Sequence, residues 1–174
     1  MRAKKGILFA TVIAATMIGC GGKSSATNAV DISGMDFFDK LYGQLEEEEL
    51  PMYIEQRELD LTDTDTLMYQ IGIDHAESLD HVIVSESMVT SSPYSLMYLE
   101  LKEGADANAV LEEVLQGVDP RRWICVEADV VSGMVFGDDV FVLMTDSELG
   151  DVVFEAAQSV GEEIGQSMGD RMDR

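Results

Sequence analysis

Two periodicities alternate along this chain. Phe38, Leu41, Tyr42 and Leu45 recur at the spacing of one helix face, predicting a first helix from about Asp36 to Glu47. It runs into Glu46–Glu49, four carboxylates that oppose the helix dipole at its carboxyl end, so an exposed loop is expected there before Leu50-Pro51. The stretch TDTDTLMYQIGI predicts a short helix capped by Thr62 or Asp63 and turning near Gly72. The pattern then becomes strand-like. His81–Val89 is rich in β-branched residues. In Pro93–Lys102, Met97, Leu99 and Leu101 share one face, and Tyr94, Leu96, Tyr98 and Glu100 the other. Val110, Leu111, Val114 and Leu115 line a helix stopped at Gly117. VVSGMVFGDDVFVLMTD reads as two strands around Gly137-Asp138-Asp139. Leu149, Val152, Val153, Ala156, Ala157, Val160 and Ile164 then form the apolar stripe of a closing helix. These elements predict one α+β domain over 34–168: an antiparallel sheet of about four strands in β-β-α-β-β-α order after one or two N-terminal helices. Helices are expected on one face, and residues 169–174 form a polar tail.

The first nineteen residues follow a different pattern. Arg2, Lys4 and Lys5 form a positive head, Ile7–Ile18 is apolar apart from two threonines, and Gly19 precedes Cys20. A membrane-spanning helix needs about 20 apolar residues, and this run is shorter, so residues 1–19 read as an export leader. Met17-Ile18-Gly19-Cys20 resembles the lipobox of bacterial lipoproteins, in which the cysteine sulfur receives a diacylglyceryl group and becomes the first residue after cleavage. Each buried methylene contributes about 0.8 kcal/mol, so two acyl chains hold where one binds reversibly. Cys20 is therefore the expected lipidation site and 20–33, small and polar, the lipidated tether. An ordinary secretory leader with an incidental Cys20 is the alternative.

Charge narrows the partners. The chain has 34 acidic and 11 basic residues, and losing three basic residues and no acidic one with the leader moves its formal charge from −23 to −26. Nucleic-acid binding depends on Lys and Arg neutralising phosphates, so no nucleic acid is expected. A polybasic contact with anionic lipid is excluded on the same ground, leaving the acyl anchor as the expected membrane contact. Besides Cys20 the only cysteine is Cys125, and WICVE reads as a strand burying that thiol.

The order of elements, with Tyr69-Gln70-Ile71, LMYLELK, NAVLEEVL and the hairpin VVSGMVFGDDVFVLMTD, resembles a bacterial family catalogued as "domain of unknown function 4358", small lipoproteins largely of Gram-positive clostridia and their relatives. The likeness spans roughly 37–160; QGVDPRRWICVE departs from it, being short where the family pattern has a longer helix with basic residues. The resemblance implies the fold and a place on the outer face of the cytoplasmic membrane. No activity attaches to that family.

Candidate chemistry is sparse. Asp60, Asp63 and Asp65 lack the glycine and distal glutamate of a calcium loop; helix capping and solvation account for them. His75 and His81 do not share a helix face as the histidines of H-E-x-x-H do. There is no phosphate-binding G-x-x-x-x-G-K-[ST]. Arg121-Arg122-Trp123 is a cationic spot beside the single tryptophan, suited to a carboxylate or to stacking on a ring. Met88, Met97, Met134 and Met144 fall in strand patterns and are expected to fill the core. No catalytic residue, cofactor or metal is expected. The function expected is a lipid-anchored, extracytoplasmic, non-enzymatic module binding an envelope protein or ligand. An envelope enzyme assembled from His75, His81 and the Asp60–Asp65 group is the competing reading.

Overall fold

The computed structural model describes residues 32–49 and 53–174. The leader, Cys20 and nearly all of the tether lie outside the described residues.

The chain is α+β, and its elements follow the hydrophobic pattern with four informative departures. Helix α1 (Gly34–Tyr42) starts at Ser33, whose Oγ accepts the amide of Asp36, and ends at Gly43, shorter than the apolar spacing suggested. A single 3-10 turn follows at Glu47–Glu49. Strand β1 (Ile54–Glu58) has no counterpart in the sequence reading. Its residues IEQRE do not alternate in polarity, as befits an edge strand. Helix α2 (Thr64–Ile71) is capped by Asp63 and closed by left-handed Gly72. Strands β2 (Leu79–Ser87) and β3 (Ser95–Leu101) lead to helix α3 (Ala107–Gly117), capped by Asp106. Strands β4 (Val130–Phe136) and β5 (Asp139–Thr145) form the expected hairpin around Gly137 and Asp138, with Gly137 at φ 68°, the left-handed value such a tight turn needs. Helix α4 (Ser147–Ile164) is capped by Asp146, and β6 (Met172–Asp173) ends the chain.

All six strands form one antiparallel sheet in the order β1-β2-β3-β5-β4-β6, larger than the four strands expected. The added strands are its two edges. The residues read as a polar tail run along β4: Gly169 N–H donates to the Val135 carbonyl at 2.8 Å and Arg174 N–H to that of Val131 at 2.9 Å. The sheet is covered on both faces, not one. On the first, Val82, Val84, Met97, Leu99, Val140 and Val142 pack against Leu67 and Ile71 of α2 and Leu111 and Val114 of α3. On the second, Ile83, Leu96, Tyr98, Phe141 and Leu143 meet Phe37 and Leu41 of α1 and Val153 and Val160 of α4. Strands apolar on both sides need cover on both sides, and the two apolar faces of Pro93–Lys102 already required it. Phe37 anchors the second layer, with its ring centroid 4.8 Å from Tyr98 and 4.9 Å from Phe136.

The ends of α2 and α3 touch backbone to backbone. A Cβ on Gly72 would enter the Gly117 backbone, and one on Gly117 the Gly72 carbonyl. This contact fixes where the loop after α3 begins relative to the last turn of α2. Gly117→Ala should therefore lose roughly 1–3 kcal/mol, the cost of overpacking, and Gly72→Ala more, because its φ of 74° adds strain of about 1–2 kcal/mol. Urea unfolding of both variants checks this; a Gly117→Ala chain as stable as the parent would contradict it.

Candidate binding cleft

The loop between α3 and β4, residues 118–129, carries Arg122 back over the last turn of α2. The Arg122 side chain is only 3% exposed, which demands a full set of partners. Its Nη1 donates to the carbonyls of Tyr69 at 3.2 Å and Gln70 at 3.0 Å and to the Gln70 side-chain Oε1 at 3.0 Å. Its Nη2 donates to Glu86 Oε1 on β2. The guanidinium also lies over two rings, 5.5 Å from the Tyr69 centroid and 4.9 Å from that of Trp123. Burial pushes the Arg122 pKa down, and the Glu86 charge opposes that shift. A planar, delocalised cation with a rigid fork of donors suits this position; an ammonium does not.

Glu86 is shared. Its second oxygen, Oε2, accepts from Arg57 Nη2 of β1 at 2.7 Å, so one carboxylate joins two guanidinium groups. Arg122 thereby ties three separate pieces of chain: the end of α2, strand β2, and the loop that bears it. The Ala128 amide donating to the Pro120 carbonyl at 2.9 Å closes the loop upon itself.

Above this polar floor is a cleft of about 440 Å³, within the range of small-ligand sites. Glu55, Arg57, Tyr69, Met88, Trp123 and Ile124 are among its lining residues. Several apolar groups face solvent there: Tyr69 is 57% exposed, Met88 60% and Ile124 66%. Tyr53, 74% exposed, adjoins them, its carbonyl accepting the Met88 amide at 2.9 Å. The only two non-glycine residues with positive φ among the described residues, Tyr53 at 56° and Cys125 at 64°, neighbour the cleft in sequence. Such backbone costs of order 1–3 kcal/mol where it occurs and gathers at functional sites. Chemically, the cleft offers aromatic and thioether surface to an apolar group. Arg57, 37% exposed, offers it donors beyond the one used by Glu86.

Among the sequence candidates, the Arg121-Arg122-Trp123 spot is the one drawn into this site. Arg122 both binds a carboxylate and stacks, while Arg121 pairs locally with Glu127 at 3.0 Å. Cys125 corrects the sequence reading. It lies in no strand and is exposed, its left-handed backbone being incompatible with the extended WICVE expected. Asp60 accepts from the amide and hydroxyl of Thr62, and Asp63 does the same for Thr66, so both serve turn and cap; these bonds hold both carboxyls below their usual range. Asp139 accepts from the Leu101 amide at 2.9 Å and the Tyr98 hydroxyl at 3.1 Å. Three of the four strand methionines, Met97, Met134 and Met144, fill the core, whereas Met88 is exposed at the cleft. Among the described residues no group of three or more His, Cys, Asp or Glu side chains is placed to hold a metal ion. Lipidation of Cys20 falls outside the described residues. Sequence reasoning missed Arg57, Tyr69, Gln70 and Glu86. Glu86 did carry a signal, the one carboxylate inside the strand-like HVIVSESMV.

No family model, curated protein or solved structure matches the chain.

The histidines sit apart from the cleft. His75 Nε2 meets Glu113 Oε1 at 3.0 Å, and His81 Nδ1 meets Glu58 Oε1 at 2.6 Å. These bonds raise both pKa values above 6.5. Stabilisation by a raised histidine is complete below its unfolded pKa and lost as pH rises through the folded one, and solvent screening keeps it small at exposed sites. NMR titration should place both midpoints above 6.5, with Glu58→Gln lowering that of His81 alone; an unshifted His81 in the parent would contradict the pairing. At Arg122, Arg122→Lys keeps the charge but loses the fork, and a loss of roughly 1–3 kcal/mol is expected from unsatisfied buried acceptors, with Trp123 emission shifted to the red. Unchanged emission and stability would contradict the tie.

Proposed function

We propose that this chain is a lipid-anchored, extracytoplasmic binding module of the bacterial cell envelope, and that the cleft above Arg122 is its contact surface. One observation carries the reading: exposed aromatic, methionine and isoleucine side chains gather above a charge network centred on the buried Arg122. A fold that needed only stability gains nothing by leaving Met88 and Ile124 in water. Recognition surfaces commonly set such anchors on a rigid base. The Met-Ile-Gly-Cys segment and the resemblance to small envelope lipoproteins support the location, with Cys20 carrying the diacylglyceryl group and the membrane reached through it. Among the described residues no helix is long and apolar enough to cross a membrane. The strongly acidic surface supports a protein or envelope ligand as partner over nucleic acid.

Two measurements test the two halves. Material from native membranes should begin at Cys20 with the lipid on its sulfur; a bare thiol or a retained leader would contradict the anchor. A photocrosslinking residue at Ile124 should give one reproducible adduct in native cells, while the same probe at exposed Glu155 on α4 should not. The Ile124 adduct should fall several-fold in Met88→Ala, the usual effect of removing an interface anchor worth more than about 1 kcal/mol. Equal labelling from both positions would contradict the cleft.

A further inference from the structure

The first strand of the sheet is self-complementary. Strand β1 is an edge: β2 lies on one side, and among the described residues no strand lies on the other. The Leu59 amide donates to Val82 and the Met88 amide to the Tyr53 carbonyl, so Tyr53, Glu55, Arg57 and Leu59 form the rungs facing β2. By the alternation of an antiparallel ladder, Ile54, Gln56 and Glu58 then turn their backbone N–H and C=O groups to the open edge. We propose that this edge pairs with the same edge of a second copy across a twofold axis through Gln56, joining two sheets into one of twelve strands.

The register follows from the residues. With Gln56 opposite its own copy, Ile54 faces Glu58 of the second chain, and these are the residues whose backbone groups point outward. All three rungs are therefore hydrogen-bonded pairs. Between them Glu55 stands opposite Arg57 of the second copy, and Arg57 opposite its Glu55. These are the closely spaced positions, where side chains across an antiparallel pair approach most nearly. Glu-Gln-Arg thus reads as its own complement when reversed, as a twofold interface requires. The side chains are placed for it. Glu55 is exposed and makes no ion pair among the described residues. Arg57 spends one Nη on Glu86 and is 37% exposed. Both lie on the sheet face of Glu86, so the incoming Glu55 would extend an existing carboxylate–guanidinium chain. A long unprotected edge invites unspecific pairing; five residues with this charge order restrict it to one register. Glu55 and Arg57 also line the cleft, so the pairing and a cleft ligand meet at one shared rim.

Disulfide trapping in membranes carrying the full chain tests it, with the parent, which contains Cys20 and Cys125, as baseline. Ionic strength near 0.15 M shortens the reach of repulsion between the acidic copies to about 8 Å. Gln56→Cys sits on the axis, where the Cα separation of about 5.5 Å suits a disulfide, and should give a crosslinked dimer well above baseline. Glu58→Cys, which meets Ile54 and not itself, should stay at baseline. Adding Glu55→Arg to Gln56→Cys turns two attractive pairs repulsive and should lower the yield about ten-fold. Mixing that chain with one carrying Arg57→Glu and Gln56→Cys should restore it. No dimer above baseline from Gln56→Cys, an equal yield from Glu58→Cys, or indifference to Glu55→Arg would each overturn the pairing. Should the Arg57→Glu chain fail to accumulate, the first three comparisons decide.

Discussion

The cleft depends on the pairing of Arg122 with Glu86. Residues 118–129 form a loop without a strand or helix, rich in exposed side chains. A loop of that length keeps a fixed shape only when something at its centre is bound tightly. Arg122 supplies this by burying a charge. Removing a guanidinium from water is expensive, and the cost is offset only where every donor has an acceptor and the opposing charge is near. Glu86, Gln70 and the carbonyl of Tyr69 supply acceptors to both Nη groups, and Glu86 supplies the opposing charge. The arrangement stabilises the chain little in net terms, yet it tolerates few alternatives, because any displacement of the loop strands a buried charge.

What the tie positions follows from geometry. Trp123 and Ile124 come directly after Arg122, so fixing the guanidinium fixes one wall of the cleft. Tyr69 belongs to the opposite wall and its ring covers the same guanidinium. Arg57 reaches Glu86 from the edge strand, and so the charge network runs from the loop to the rim of the sheet. The Gly72–Gly117 contact works one level below, bringing the helix ends close enough for an arginine to span them. Core packing, helix ends, buried ion pair and exposed anchors form one chain of dependence.

Much of this was legible in the residues and some was not. The helices α3 and α4 and the β4–β5 hairpin stand out because local spacing decides them. Val110, Leu111, Val114 and Leu115 mark one side of a helix wherever it is placed, and Gly137 makes a tight turn from its own backbone freedom. Strand β1 was invisible because IEQRE takes its conformation from β2, a tertiary neighbour, and an edge strand carries no strict alternation. WICVE misled for the converse reason. Its composition is that of a strand, but Arg122 just before it is held elsewhere, and the chain turns at Cys125 to comply. The site was half legible: Arg122 and Trp123 stood out as cation and ring, whereas Glu86 and Gln70 lie 36 and 52 residues away and are joined to them only by the fold.

The most direct test is a double-mutant cycle on stability using Arg122→Met, Glu86→Gln and the pair, read by urea unfolding. Breaking a buried pair from one side costs about 3–5 kcal/mol, and removing both charges together should cost far less than the two single losses summed. A coupling of at least about 2 kcal/mol is the expected result. Single losses that simply add, to within about 0.5 kcal/mol, would show that the two side chains do not depend on each other, and the cleft would lose its foundation.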